Sequence, residues 1–175
     1  MNPTKLGCWV VTIGLATFLV GCGDHLGAVT ATSRERLTRS KPPAECDSLT
    51  DAAAAIKGSD APQSVQVVGR IAGSDMAPFD PDQSIFMLSE APAADHDTDD
   101  PDHADNCPFC RRRAEKAPTA MVTLVDPDTN EPYPQDATTL VGLRIGDRVS
   151  FVGEATFNAD LNLLNIRTGQ VHIAR

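Results

Sequence analysis

The stretch DRVSFVGEATF, residues 147–157, alternates regularly between two sets of side chains. One set, mainly apolar, comprises Val149, Phe151, Gly153, Ala155 and Phe157, and the other, mainly polar, includes Arg148, Ser150, Glu154 and Thr156. A period of two residues is that of a β-strand with one buried face and one solvated face. The pattern therefore predicts a strand whose apolar side lies in the core of a β domain.

Four further β segments and a short helix accompany this strand. VQVVGRIAG, SIFMLSE and TAMVTLVD precede it, LNLLNIRTGQVHI follows it, and the helical candidate DATTLVGLR lies between the third and fourth β segments. This order resembles the OB-fold, a five-stranded Greek-key barrel with a helix between strands three and four. The resemblance rests on VVGRI, GDRVSFVGEA and LNLLNI, and it implies a mainly β, OB-like domain over residues 65–175.

The first 21 residues are typical of a secretory signal peptide, with a short charged start and an apolar stretch from Leu6 to Val20. The tetrapeptide Leu19-Val20-Gly21-Cys22 at its end resembles the lipobox of bacterial lipoproteins. That resemblance implies cleavage after residue 21 and acylation of Cys22. It predicts an extracytoplasmic protein held to a membrane by its lipid, in the periplasm or on the outer surface. An ordinary secretory signal with an incidental cysteine is the alternative.

Residues 22–46 are rich in Thr, Ser, Arg and Gly and show no apolar periodicity. Such a composition predicts a flexible tether between lipid and domain. Its basic residues, Arg34, Arg36, Arg39 and Lys41, could contact anionic headgroups, although a solvated linker is the preferred interpretation.

Residues 47–64 predict a short helix and a connector. Asp47 or Ser48 can cap a helix through SLTDAAAAIK, and Gly58 can end it. Leu49, Ala52, Ala53 and Ile56 then share one face, which we expect to pack on the barrel.

The chain is acidic, with a formal net charge of −9 at pH 7. Removal of residues 1–21 takes away one charge, that of Lys5, and changes −9 to −10. Nucleic-acid binding requires clustered Lys and Arg side chains against the phosphates, so we expect no nucleic-acid partner. The sequence identifies no protein partner.

A long insertion, residues 90–118, separates the second and third β segments. Its acids are Glu90, Asp95, Asp97, Asp99, Asp100, Asp102 and Asp105. Two imidazoles, His96 and His103, and two thiols, Cys107 and Cys110, match the tetrahedral ligand demand of zinc, and copper also suits such ligands. His103 and Cys107, four residues apart, would meet on one helical turn, and Cys46 could replace one histidine. These residues predict a transition-metal site.

The same cysteines allow two other interpretations. In an oxidising compartment Cys107 and Cys110 could form a disulfide, which would leave the barrel as an envelope module that binds protein or saccharide. The tetrapeptide CPFC also resembles the active site of glutaredoxin-like and disulfide-isomerase-like thiol oxidoreductases, whose reactive thiol the arginines 111–113 would activate. Those enzymes carry it at the head of a helix in a βαβ fold, which the β pattern does not offer. The sequence favours a non-enzymatic, metal-binding lipoprotein.

Overall fold

The computed structural model describes residues 32–71, 77–92 and 107–175. In these ranges the helices are α1 (32–37), α2 (Leu49–Ile56), α3 (Pro108–Lys116) and α4 (Ala137–Val141). The strands are β1 (Gln63–Arg70), β2 (Ile85–Glu90), β3 (Thr119–Leu124), β4 (Arg148–Asn158), β5 (Leu163–Thr168) and β6 (His172–Ala174).

The first five strands form a closed barrel in the order β1-β2-β3-β5-β4, and β4 pairs back with β1. Strands β3 and β5 are parallel, and every other strand pair in the described sheet is antiparallel. The register sets Val67 opposite Phe151 across the closing pair, and helix α4 lies between β3 and β4. The predicted mainly β, OB-like barrel is confirmed, and β6 extends it by pairing with the start of β4.

Strand β4 follows the predicted alternation. Val149, Phe151 and Ala155 are buried in the core, where Phe151 lies with Phe86. Gly153 follows the same alternation as Phe151 and Ala155 on this strand. The position requires glycine because a Cβ there would lie 2.6 Å from the carbonyl oxygen of Arg167. A side chain at this point would therefore push β5 away from β4.

Helix α2 forms as the sequence predicts. The hydroxyl oxygen of Ser48 accepts a hydrogen bond from the backbone N–H of Asp51 at 3.0 Å, which caps the helix. Gly58 follows the helix with a φ of 85°, a left-handed conformation that glycine adopts without steric cost. The predicted apolar face, Leu49, Ala52, Ala53 and Ile56, is buried against the barrel.

The structure differs from the predicted flexible tether from residue 32 onward. Leu37 is 0% exposed, and the backbone N–H of Arg39 donates to the carbonyl oxygen of Val171 at 2.7 Å. Further along, Asp47 forms a bridge with Val67 on β1. Residues 32–47, which we call the N-terminal segment, thus belong to the domain because backbone pairing and one leucine attach them. Residues 22–31 of the predicted tether lie outside the described part.

The N-terminal segment also explains a difference on β4. Ser150 was expected on the solvated face, yet it is only 6% exposed. Cys46, in the N-terminal segment, lies close enough to the Ser150 side chain to influence the pKa of its thiol. The outer face of the barrel is therefore covered at this point by residues that precede the helix α2.

Candidate metal and thiol site

The candidate site consists of two cysteines at the beginning of helix α3. Cys107 is the N-cap residue and Cys110 lies in the first turn, and the side chain of Cys107 is half-buried. His96 and His103, the other two predicted ligands, lie outside the described residues, as does Cys22. Of Cys110 the structure describes the backbone. The four-ligand set therefore stays a prediction.

The local sequence explains why α3 begins where it does. Cys107 has an extended backbone, with φ −83° and ψ 116°, and Pro108 occupies the first helical position. Proline is favoured there because it has no N–H to leave unpaired. At the other end Arg113 and Lys116 lie in the last turn, where positive charge interacts favourably with the helix dipole.

The described geometry bears on the predicted ligand arrangement only from Cys107 onward. The backbone of Cys107 is extended and helix α3 begins after it, while residues 103–106 lie outside the described part, so the expected proximity of His103 and Cys107 stays a prediction. The residue before a proline is disfavoured from the α region by a clash with the proline ring. Cys107 and Cys110 are the pair that one helix end brings together.

Glu90 does not belong to the acidic cluster of the insertion. It is the last residue of β2 and 7% exposed. Its carboxylate oxygen Oε2 accepts hydrogen bonds from the backbone N–H of Thr50 at 3.0 Å and from the Thr50 hydroxyl at 2.9 Å. The Glu90 carboxylate thus accepts hydrogen bonds from the N-terminal turn of α2. The remaining six predicted acids lie outside the described residues.

Cys46, the predicted substitute ligand, is half-buried near the end of the N-terminal segment. Its burial, followed by the nearby charge of Asp47, raises the pKa of the thiol, while the hydrogen bond with Ser150 opposes that change. Metal ligation needs the thiolate, which this environment disfavours. In residues 32–71, 77–92 and 107–175 no group of three or more His, Cys, Asp or Glu side chains forms a metal site.

Helix α3 is attached to the domain at its C-terminal end, and in its first turn Phe109 is exposed. The carbonyl oxygen of Lys116 accepts a hydrogen bond from Asn162 at 3.5 Å, and Ala117 is buried just beyond. Nine residues of α-helix span about 13 Å. Along the axis, Cys107 therefore lies about 13 Å and Cys110 about 9 Å from Lys116, and Phe109 between the cysteines is 81% exposed.

Sequence reasoning missed helix α3, although two signals for it were available. Proline at the first position and basic residues in the last turn are both helix markers. The helix matters because it places CPFC where the resembling thiol oxidoreductases carry theirs, at the head of a helix.

The helices of the described ranges are too short or too polar to cross a membrane. The strand order is that of an OB-like barrel, which specifies an architecture and leaves the activity open. Comparison of the chain with protein-family models, with curated proteins and with solved structures gives no match.

Proposed function

We propose that this protein is a lipid-anchored, extracytoplasmic lipoprotein that binds a transition metal, zinc or copper, through Cys107 and Cys110 with His96 and His103. Its role is metal binding or handling rather than catalysis. The observation that carries the proposal is the position of both cysteines at the N-terminal end of α3, Cys107 as the N-cap and Cys110 in the first turn.

The positions of the two cysteines favour their binding to one metal ion. N-cap and third-position side chains lie close enough to act together, as the capping box illustrates. The end of the helix also carries unpaired N–H groups and a positive partial charge, both of which favour thiolates. Two thiolates supply half of a tetrahedral zinc site, and the two histidines of the insertion supply the other half.

The lipid anchor is supported by the lipobox and by the distance along the chain. Cys22 lies ten residues before Thr32, the first described residue, so a short connection separates the proposed lipid from a folded domain. Cys22→Ala should release the protein from the membrane fraction and block precursor cleavage. Normal processing with unchanged membrane retention would contradict the anchor.

The metal proposal is tested by elemental analysis of protein purified without chelator. We expect about one zinc or copper per chain. The double variant Cys107→Ser/Cys110→Ser should lose the metal, whereas the matched single variant Cys46→Ser should retain it. His103→Ala should weaken binding more than His172→Ala, because His172 contacts the backbone of Arg39 on the barrel.

If the protein is instead an envelope interaction module, the elemental analysis should give the opposite result. Freshly purified protein would then hold no stoichiometric metal, and Cys107 and Cys110 would be joined in a disulfide. That result would end the metal proposal and leave the barrel surface as the functional part.

A thiol–disulfide oxidoreductase is the second candidate, and the beginning of helix α3 at CPFC favours it specifically. In that reaction the Cys107 thiolate would attack a substrate disulfide, and Cys110 would resolve the mixed disulfide and release the reduced substrate. Cys110→Ser should then trap a mixed disulfide at Cys107 with a disulfide-containing peptide. Metal bound stoichiometrically to the wild-type protein, with no trapped product, would exclude this activity.

A further inference from the structure

A basic groove lies on the outer face of the barrel beneath the N-terminal segment. It has a volume of about 700 Å³ and is lined by residues 38–44 together with Gln66, Val152 and Gln170. None of the lining residues is acidic, although the whole chain has a net charge of −9. The groove therefore differs in charge from the rest of the molecule.

The two cations of the groove, Arg39 and Lys41, are exposed. Neither forms an ion pair with another residue of the described ranges. The two arginines that precede them are engaged: Arg34 donates to the carbonyl oxygens of α4, and Arg36 pairs with Asp128 at 2.5 Å. Arg39 and Lys41 are the basic residues of the N-terminal segment that remain available to an external anion.

The groove is held by contacts on both sides. The backbone N–H of Arg39 donates to Val171, and its carbonyl oxygen lies 3.1 Å from the ring nitrogen Nδ1 of His172. At the other end the side-chain amide of Gln66 donates to the carbonyl oxygen of Glu45. Because these contacts hold the backbone at residues 39 and 45, little backbone entropy is lost there when an anion binds.

The position of the groove along the chain brings it close to a membrane. Ten residues connect Cys22 to Thr32, and a fully extended chain of that length spans at most about 35 Å. Anchoring at Cys22 thus raises the effective concentration of lipid headgroups at the groove.

We propose that Arg39 and Lys41 dock this groove on the anionic phospholipid headgroups of the membrane that holds Cys22. The inference rests on the lipoprotein part of the proposed function and is independent of the metal site. A single lipid anchor leaves the domain free to reorient, and a nearby basic surface supplies the second contact. The acidic remainder of the domain is repelled from the same surface, which favours one orientation.

The test measures amide hydrogen exchange of the native lipidated protein in phosphatidylglycerol vesicles and in phosphatidylcholine vesicles. We expect the amides of Ser40, Lys41 and Ala44 to exchange at least about threefold more slowly in the anionic vesicles. Each basic residue near an anionic surface strengthens binding by about fivefold. Raising the salt to 0.5 M should remove the protection because the contact is exposed.

Two double variants of equal charge change provide the control. Arg39→Ala/Lys41→Ala should abolish the protection, and Lys57→Ala/Arg144→Ala, which alters exposed residues elsewhere, should preserve it. Equal exchange in both lipids, or equal loss in both variants, would overturn the docking inference.

The mass of the purified protein reports acylation separately. If no lipid is present, the chain from residue 23, held by an N-terminal histidine tag on nickel-chelating lipid, undergoes the same comparison. Protection that depends on Arg39 and Lys41 would then support docking even though the lipoprotein proposal had failed.

Discussion

Helices α1 and α3 both lie at the border of the barrel, yet they are attached in different ways. Helix α1 ends at Leu37, which is fully buried, and the next residue forms a bridge with Val171. Helix α3 is longer, but Phe109, its large apolar side chain in the described set, is 81% exposed. At α1, one buried side chain and backbone pairing are enough to attach a short helix to the barrel.

Burial of the Leu37 side chain contributes about 1.5–3 kcal/mol to the attachment of α1. Helix α3 has no comparable buried anchor among its described side chains. The N-terminal segment is held to the barrel by Leu37 and by its backbone pairing.

The largest loss of stability is expected for a substitution at the centre of the barrel. Phe151→Ala should lower the free energy of unfolding by about 3–5 kcal/mol, since Phe151 is fully buried on β4. Glu154→Ala, on the exposed face of the same strand, should change it by less than about 0.5 kcal/mol. Denaturant titration measures both values, and equal effects would contradict the assigned register.

Leu37→Ala tests how strongly the N-terminal segment is attached to the barrel. We expect a loss of about 3 kcal/mol, because the variant leaves a cavity between the segment and the barrel. Leu161→Ala is the matched control, since that leucine is 68% exposed in the turn between β4 and β5. If both variants unfold at the same denaturant concentration, the segment is not part of the cooperative unit.

Helix α4, to which Arg34 donates hydrogen bonds, provides a test that depends on pH. The side-chain hydrogen bonds of Thr138, and next those of Thr139, lower the pKa of Asp136 to about 2. Asp136→Ala removes this N-cap and should cost about 1 kcal/mol near neutral pH.

The sign of the pH effect follows from the lowered pKa. The charged carboxylate stabilises the folded state above pH 3.8, its ordinary value, and this contribution disappears as the pH falls towards about 2. Unfolding of wild type and of Asp136→Ala at pH 7 and pH 2.5 should therefore show a smaller difference at the lower pH. A difference that grows on acidification would refute the assignment.

Phe109→Ala should have the smallest effect, within about 0.5 kcal/mol, because the side chain is exposed. Thermal unfolding measures it, with Leu37→Ala as the sensitive reference. A loss above about 1.5 kcal/mol would break the comparison, since it would mean that α3 is anchored through its first turn.

The barrel could be predicted from the sequence because its strands each have a buried face and an exposed face. Val149, Phe151 and Ala155 carry that period directly. The attachment of the N-terminal segment could not be predicted, because backbone hydrogen bonds such as that of Arg39 to Val171 leave no side-chain pattern. One leucine in a polar stretch is too weak a signal.

One error at the candidate site came from counting residue types. Glu90 was counted as a loop acid, although its neighbours on β2 show that it ends a strand. The beginning of helix α3 was missed, although Pro108 disfavours a helical backbone at Cys107 and suits the first position of a helix. The cysteine pair itself could be predicted, because Cys-x-x-Cys is specific without knowledge of the backbone.

The pairing of β1 with β4 has a consequence for the rate of folding. These strands are far apart in sequence, and residues 71–147, which include the whole insertion, must be enclosed before the barrel can close. Such distant pairing predicts slow folding, in the range of milliseconds to seconds. The entropy of loop closure grows only with the logarithm of length, so residues 93–106 add about a few tenths of a kcal/mol to that barrier. A barrel of this topology can therefore carry a long inserted loop with almost no kinetic penalty.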